Sequence, residues 1–153
     1  MLRLSKLADY GCQVMTYMAR DAAVHSASEV ASALDMAPAT VSKILKMLAK
    51  QDLVVSVLGA KGGYALARQP EEISVAEIIC AMDGPISITE CSSDSACTRE
   101  SLCSTRGNWL GINRIIQDAL EKVSLAEMIR ARPTGPRLQV VDVSALRSRA
   151  ASA

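Results

Sequence analysis

The 153-residue chain is half hydrophobic, 22% charged and devoid of Phe, with a formal net charge of +1. That length suits one compact domain, or a small module with an appended helix, whose core must rest on Leu, Ile, Val, Met and Ala. There is no run of eighteen apolar residues and no signal-peptide pattern, so no membrane span is expected and the protein is expected to be cytoplasmic.

The near-zero total hides an uneven distribution. Residues 1–70 carry eight Lys/Arg against five Asp/Glu (+3), residues 71–130 five against ten (−5), and residues 131–153 four against one (+3). Only the first part has both the sign and the length to hold a phosphate-binding module, and its excess is mild.

Residues 3–20 read as an amphipathic helix with Leu4, Leu7, Ala8, Gly11, Val14, Met15 and Met18 on one face. Asp9 falls on the opposite face with Ser5 and Gln13, and Cys12 lies nearer the edge. Ser26-Ala27-Ser28-Glu29 has the spacing of a capping box and opens a short helix to about Leu34. After the turn Asp35-Met36-Ala37, Pro38 sits well at the first position of a helix that runs to about Lys50. This helix buries Val41, Ile44, Leu45 and Leu48, and presents Ala39, Ser42, Lys43, Lys46 and Lys50 outward.

Leu53 to Leu58 and Tyr64 to Ala67 are short strands joined by Gly59-Ala60-Lys61-Gly62-Gly63, which leaves Lys61 at a hairpin tip. Ser74 to Glu77 forms a second capping box, opening a helix that Gly84-Pro85 stops after about Met82. From Asn108 a longer helix carries Trp109, Ile112, Ile115, Ile116, Ala119, Leu120 and Val123 in one stripe. Ser124 and Glu127 cap a last helical turn, ended by Arg132-Pro133. The remaining tail is expected to be mobile.

Two short helices, a tight turn and a Gly-rich hairpin make a winged helix–turn–helix pattern, mostly α with a small β wing. Ala39, Thr40 and Ser42 are small enough for close approach to base edges, Lys43 and Lys46 reach phosphates or guanine, Lys61 enters a neighbouring minor groove, and Arg68 neutralises a phosphate. Any one lysine is equally a solvated surface charge, so the order of elements favours DNA more than the lysines do. The apolar stripe from Ile112 to Val123 is long for so small a chain, which favours a dimer interface.

Between the last two long helical patterns stands Cys91-x5-Cys97-x5-Cys103, in a polar stretch rich in Ser, Thr, Asp and Glu. A loop can wrap three thiolates around a metal or an iron–sulfur cluster without breaking a helix. Five Cys in a reducing compartment favour a metal or redox role over structural disulfides. Cys80 is expected in the core, Cys12 has a minor prospect as a ligand or redox partner, and His25 is expected on a surface loop. Trp109 is expected to anchor the long helix.

Leu4-Ser5-Lys6-Leu7-Ala8-Asp9-Tyr10-Gly11, Thr40 to Leu45, Lys61-Gly62-Gly63-Tyr64-Ala65-Leu66-Ala67 and Ile73 to Ile79, followed by the three cysteines, resemble the IscR/NsrR-type winged-helix iron–sulfur regulators. Thr89-Glu90-Cys91-Ser92 and Arg106-Gly107-Asn108-Trp109 are most similar to the branch that regulates the SUF iron–sulfur assembly operon. The resemblance covers residues 1–130 and implies a homodimer paired through the long helix, acting on a double-stranded DNA operator. It further implies a cluster on Cys91, Cys97 and Cys103, [2Fe-2S] favoured over [4Fe-4S], whose state sets DNA affinity. Some relatives place a His where this chain has Arg106, a poor ligand. Others supply a carboxylate from the first helix, and the matching position is Asp9. Glu90, Asp94 and Glu100 are further acidic candidates.

These readings divide the chain into a winged helix–turn–helix region (1–83), a cluster loop (84–106), a dimerisation helix with its final turn (107–131) and the tail (132–153). The expected function is a cluster-sensing repressor of iron–sulfur assembly genes. The alternative is a regulator whose three loop cysteines form a thiol/disulfide switch without a cluster. The five-residue spacings do not fit a zinc knuckle. Neither a nucleophile–base constellation nor a phosphate loop is present, so no enzyme is expected.

Overall fold

The computed structural model describes residues 3–59, 62–89 and 103–130. Lys61, Glu90, Cys91, Asp94, Cys97, Glu100 and the tail 132–153 lie outside the described residues. In chain order the elements are α1 (Lys6–Met18), α2 (Ala27–Ala33), α3 (Pro38–Lys50), β1 (Val54–Val57), β2 (Gly63–Leu66), a 3-10 turn (Pro70–Glu72), α4 (Val75–Asp83), α5 (Arg106–Glu121) and α6 (Leu125–Ile129). The fold is that of a winged helix: among the described residues it is mostly helical, with a two-stranded antiparallel hairpin.

Ser5 starts α1 by accepting from Ala8 N at 3.0 Å, and its hydroxyl donates to Asp83 Oδ1 at 2.7 Å, joining the start of α1 to the end of α4. The two helices approach closely at Gly11, where an added Cβ would lie 2.8 Å from Met82 Cγ. Around that contact Val14, Met15, Met18, Ile44, Leu45, Leu48 and Ile78 are fully buried, which is the aliphatic core a Phe-free sequence requires. Leu4, expected on the apolar face of α1, is instead 49% exposed because α1 begins only at Lys6.

Both helices of the helix–turn–helix close with an aspartate in left-handed conformation, Asp35 at φ 50° and Asp52 at φ 53°. The following N–H groups then return to the helix, Met36 N to Ala31 O at 2.9 Å and Leu53 N to Leu48 O at 3.1 Å. These bonds satisfy carbonyls that the helix ends would leave open, and Asp tolerates the left-handed region better than most residues.

In the wing, Val54 pairs with Leu66 and Val57 with Gly63. A third edge comes from the α1–α2 connection: His25 N donates to Tyr64 O at 2.9 Å, and Tyr64 N to His25 O at 2.8 Å. Gly63 is needed here, since a Cβ would overlap the His25 carbonyl oxygen. His25 is therefore no surface loop residue. It is 4% exposed, with its ring edge-on to Tyr17 at a centroid distance of 5.2 Å. Its Nε2 lies 2.8 Å from Asp21 Oδ1 and its Nδ1 3.0 Å from Glu29 Oε1. A neutral imidazole donates from one nitrogen only, whereas the imidazolium satisfies both carboxylates. Burial of the ring pulls its pKa down, but the hydrogen bonds and charges of Glu29 and Asp21 outweigh this and leave it above the ordinary value.

The capping boxes at Ser74–Glu77 and Ser124–Glu127 both form as expected. In α2, Glu29 N donates to Ser26 Oγ at 3.2 Å, while the Glu29 carboxylate serves His25. The segment before α4 is stitched to the junction of α5 and α6: Val75 N donates to Val123 O at 2.9 Å, and Leu125 N to Ile73 O at 2.7 Å. The α5 stripe divides. Leu120 and Val123 pack against the core, whereas Trp109, Ile112 and Ile115 are exposed, Ile115 to 68%. Asn113 is the buried residue of α5; it accepts from Ile88 N at 3.0 Å and donates to Ile86 O at 3.1 Å.

Two outcomes are expected. Asp52→Val places a β-branched residue at positive φ and should lower unfolding free energy by roughly 1–2 kcal/mol in urea titrations. Because the folded-state pKa of His25 is raised, its stabilisation is complete below the unfolded pKa and is lost as pH rises through the folded one. The stability advantage of wild type over His25→Gln should therefore shrink as pH rises from the ordinary imidazole range through the raised folded-state value; an advantage that does not change with rising pH would show that the imidazolium is not the stabilising form.

Candidate nucleic-acid interface and cysteine site

The outward face of α3 is set by what its inward face buries. With Val41, Ile44, Leu45 and Leu48 in the core, Ala39, Lys43, Lys46 and Lys50 are left exposed on one stripe, and Thr40 and Ser42 are half-buried beside it. Pro38, at the first position, and the Asp35 turn fix where this stripe begins relative to α2. No acidic residue stands in the first turn of α3, so its positive end is uncompensated by its own side chains.

The wing lies after α3 in the chain, and its exposed side chains are more apolar than the sequence reading expected. Val55, Val57 and Leu58 are exposed, Leu58 to 94%. Alternation along β1 signals the first two, but Leu58 follows the strand and carries no signal of its own. Arg68, expected as a phosphate contact, is half-exposed with its guanidinium engaged: Nη2 donates to Glu77 Oε1 at 2.7 Å and Nη1 to Glu72 O at 3.0 Å. Burial tends to raise the Glu77 carboxyl pKa, but hydrogen bonds from Ser74 and the Arg68 guanidinium outweigh it and hold the group below the ordinary value.

Among the cysteines, two expectations change. Cys80 is exposed, because the buried arc of α4 is centred on Val75, Ile78, Ile79 and Met82 and Cys80 lies beyond its edge. Cys12 is buried, and its thiol is pushed up to about 11, first by burial and then by the Asp9 charge. A thiol so held stays protonated and is a poor ligand or redox partner. Cys103 is half-buried just before α5, its Sγ 3.4 Å from Thr105 Oγ1. Asp9 is exposed on α1, accepts from Gln13 Nε2 at 3.0 Å, and borders a shallow depression with Cys12, Thr16, Arg20, Leu34 and Met128. Among the described residues no three His, Cys, Asp or Glu come together as a metal-binding group. Trp109, at 39% exposure, is not among the hydrophobic side chains packed against the core of the described residues.

The family model for Rrf2, iron-dependent transcriptional regulators, matches residues 4–131. The chain is 28% identical over 143 residues to Protein rrf2 of Nitratidesulfovibrio vulgaris, covering 89% of this chain and 93% of that protein. It is likewise 28% identical over 134 residues to the transcriptional regulator IscR of Sodalis glossinidius, covering 84% and 79%. Among solved structures, IscR of T. potens superposes with a TM-score of 0.66 at 28% identity, covering 84% of this chain and 86% of that one. CymR, the global cysteine regulator of B. subtilis, shares the fold with a TM-score of 0.70 at 24% identity, covering 84% and 97%. Among the described residues no helix is long and apolar enough to cross a membrane. The chain belongs to the Rrf2 family, whose members are DNA-binding transcriptional regulators and not enzymes.

Proposed function

We propose that this regulator senses an iron–sulfur cluster held by Cys91, Cys97 and Cys103, and that it represses iron–sulfur assembly genes as a homodimer. The observation that carries the reading is the even Cys91-x5-Cys97-x5-Cys103 spacing in a chain of this family. The donor set fits the group: three thiolates suit iron, and the third, Cys103, stands half-accessible immediately before a helix whose N-terminal end favours negative charge. Asp9 is the proposed fourth ligand; its exposure on α1 leaves it able to face a partner subunit's loop. A [2Fe-2S] cluster is favoured over [4Fe-4S]. When bound, it supplies a centre that iron supply and oxidants can alter. An oxygen ligand makes such a centre more labile than four thiolates would.

The homodimer is supported by the exposed Trp109, Leu110, Ile112 and Ile115 on α5, a patch a lone soluble protein seldom leaves to water. For the operator, the reading assigns Ala39, Thr40 and Ser42 to base edges, Lys43 and Lys46 to phosphates or guanine, and Lys61, outside the described residues, to the neighbouring minor groove. Region 1–83 then reads DNA, 84–106 senses and 107–131 dimerises.

Lys43→Ala and Lys46→Ala should each weaken duplex binding and reduce the slope of log K against log salt by about 0.9. An unchanged slope in both variants would reject α3 as the phosphate-contacting helix. Cys97→Ser should remove iron and acid-labile sulfide from anaerobically purified protein while leaving a folded dimer. Full iron retention would contradict the three-cysteine site. A wild-type chain that stays colourless after anaerobic reconstitution, and pairs its loop cysteines on mild oxidation, would replace the cluster with a thiol switch.

A further inference from the structure

We propose that Arg68 is a positioning residue that latches the base of the wing to α4, with Glu77 as the catch. Arg68 follows β2 by two residues, so whatever holds its side chain holds the exit of the hairpin. Its guanidinium is fixed at two points on different elements. Nη1 closes over the 3-10 turn through the Glu72 carbonyl at 3.0 Å, and Nη2 reaches Glu77 Oε1 of α4 at 2.7 Å. The planar fork of Arg suits this two-point hold; the single ammonium of Lys does not.

Glu77 is itself immobilised. Its other oxygen, Oε2, accepts from Ser74 N at 2.8 Å and from Ser74 Oγ at 3.1 Å, so both carboxylate oxygens are in use. Ser74 in turn lies opposite Ser124 in an antiparallel bridge flanked by the Val75–Val123 and Ile73–Leu125 backbone bonds. A continuous set of bonds therefore runs from the end of α5, through the start of α4, to the foot of the wing. The latch sets the angle at which the hairpin leaves the helical body, and so where its tip meets a duplex. Two of the five guanidinium N–H donors are thus spent within the fold, and the Arg68 charge is paired with that of Glu77.

This proposal rests on the DNA-binding reading, and its test separates the two. Full-length wild type, Arg68→Ala, Arg68→Lys, Glu77→Gln and the Arg68→Ala/Glu77→Gln double variant are compared in two measurements. The first is hydrogen exchange of the β1–β2 amides without DNA. The second is binding of a labelled mixed-sequence duplex of about 30 bp across a salt series. The latch predicts faster wing exchange in all four variants, including the charge-preserving Arg68→Lys. It also predicts about 2- to 5-fold weaker duplex binding in Arg68→Ala and in Glu77→Gln, with an unchanged salt slope. The double variant should be no weaker than either single one, because both remove the same contact. A direct phosphate contact gives the opposite pattern and would overturn the latch: wing exchange unchanged, a shallower slope in Arg68→Ala alone, binding retained in Arg68→Lys, and tighter binding in Glu77→Gln. A wild type that binds no duplex at any salt would remove the DNA reading, while the exchange data still decide whether Arg68 holds the wing.

Discussion

The close packing of α1 on α4 at Gly11 is the constraint on which the rest of this structure depends. A chain without Phe, and with only three Tyr and one Trp, has few large rigid groups with which to fill a wide core, so its helices approach closely and interdigitate aliphatic side chains. Gly11 allows that approach against Met82, and the Ser5–Asp83 hydrogen bond ties the same pair of helices at their ends. With α1 and α4 fixed, α3 buries four residues against them and has only one face left to present outward.

Two polar connections then carry the position of the core out to the wing. On one side, the α1–α2 connection adds a single β-bridge to β2, supported by the buried His25 and its two carboxylates. On the other, Arg68 and Glu77 hold the foot of the hairpin to α4. A two-stranded hairpin is marginal by itself; here it is a short sheet braced at both margins. The position of the hairpin on the helical body thus depends on His25, Arg68 and Glu77 as well as on its own two strands.

The long helix has a different status. Among the described residues, Leu120 packs against the core and Asn113 is buried, with Val123 just past the helix end, while Trp109, Ile112 and Ile115 are exposed. Asn113 satisfies the Ile86 carbonyl and the Ile88 N–H, so it fixes the chain immediately before the cysteine segment to the helix that follows it. The residues just past the end of that helix are in turn stitched by backbone bonds to the segment leading into α4.

The sequence alone determined what depends on neighbours within one helical turn or one hairpin. Pro38 began α3 where a missing N–H is harmless, Ser74 with Glu77 and Ser124 with Glu127 fixed two helix starts, and the 3.6-residue pattern named Val41, Ile44, Leu45 and Leu48 as the buried side of α3. The order of those elements was enough for the winged-helix fold, and the motifs were enough for the family. The cysteine spacing was legible too, although Cys91 and Cys97 fall outside the described residues. Only the tertiary structure decided the fate of residues whose environment comes from elsewhere in the chain. His25 looked like a loop residue because its burial is created by Tyr17 and by Tyr64, 39 positions later. Cys80 looked apolar and proved exposed, because the partners of α4 cover only one arc of a short helix. Arg68 looked like one more surface cation until folding brought Glu77 to within 2.7 Å of it. Periodicity says which face a side chain is on, but a charge or an imidazole takes its role from the partner that folding sets opposite it.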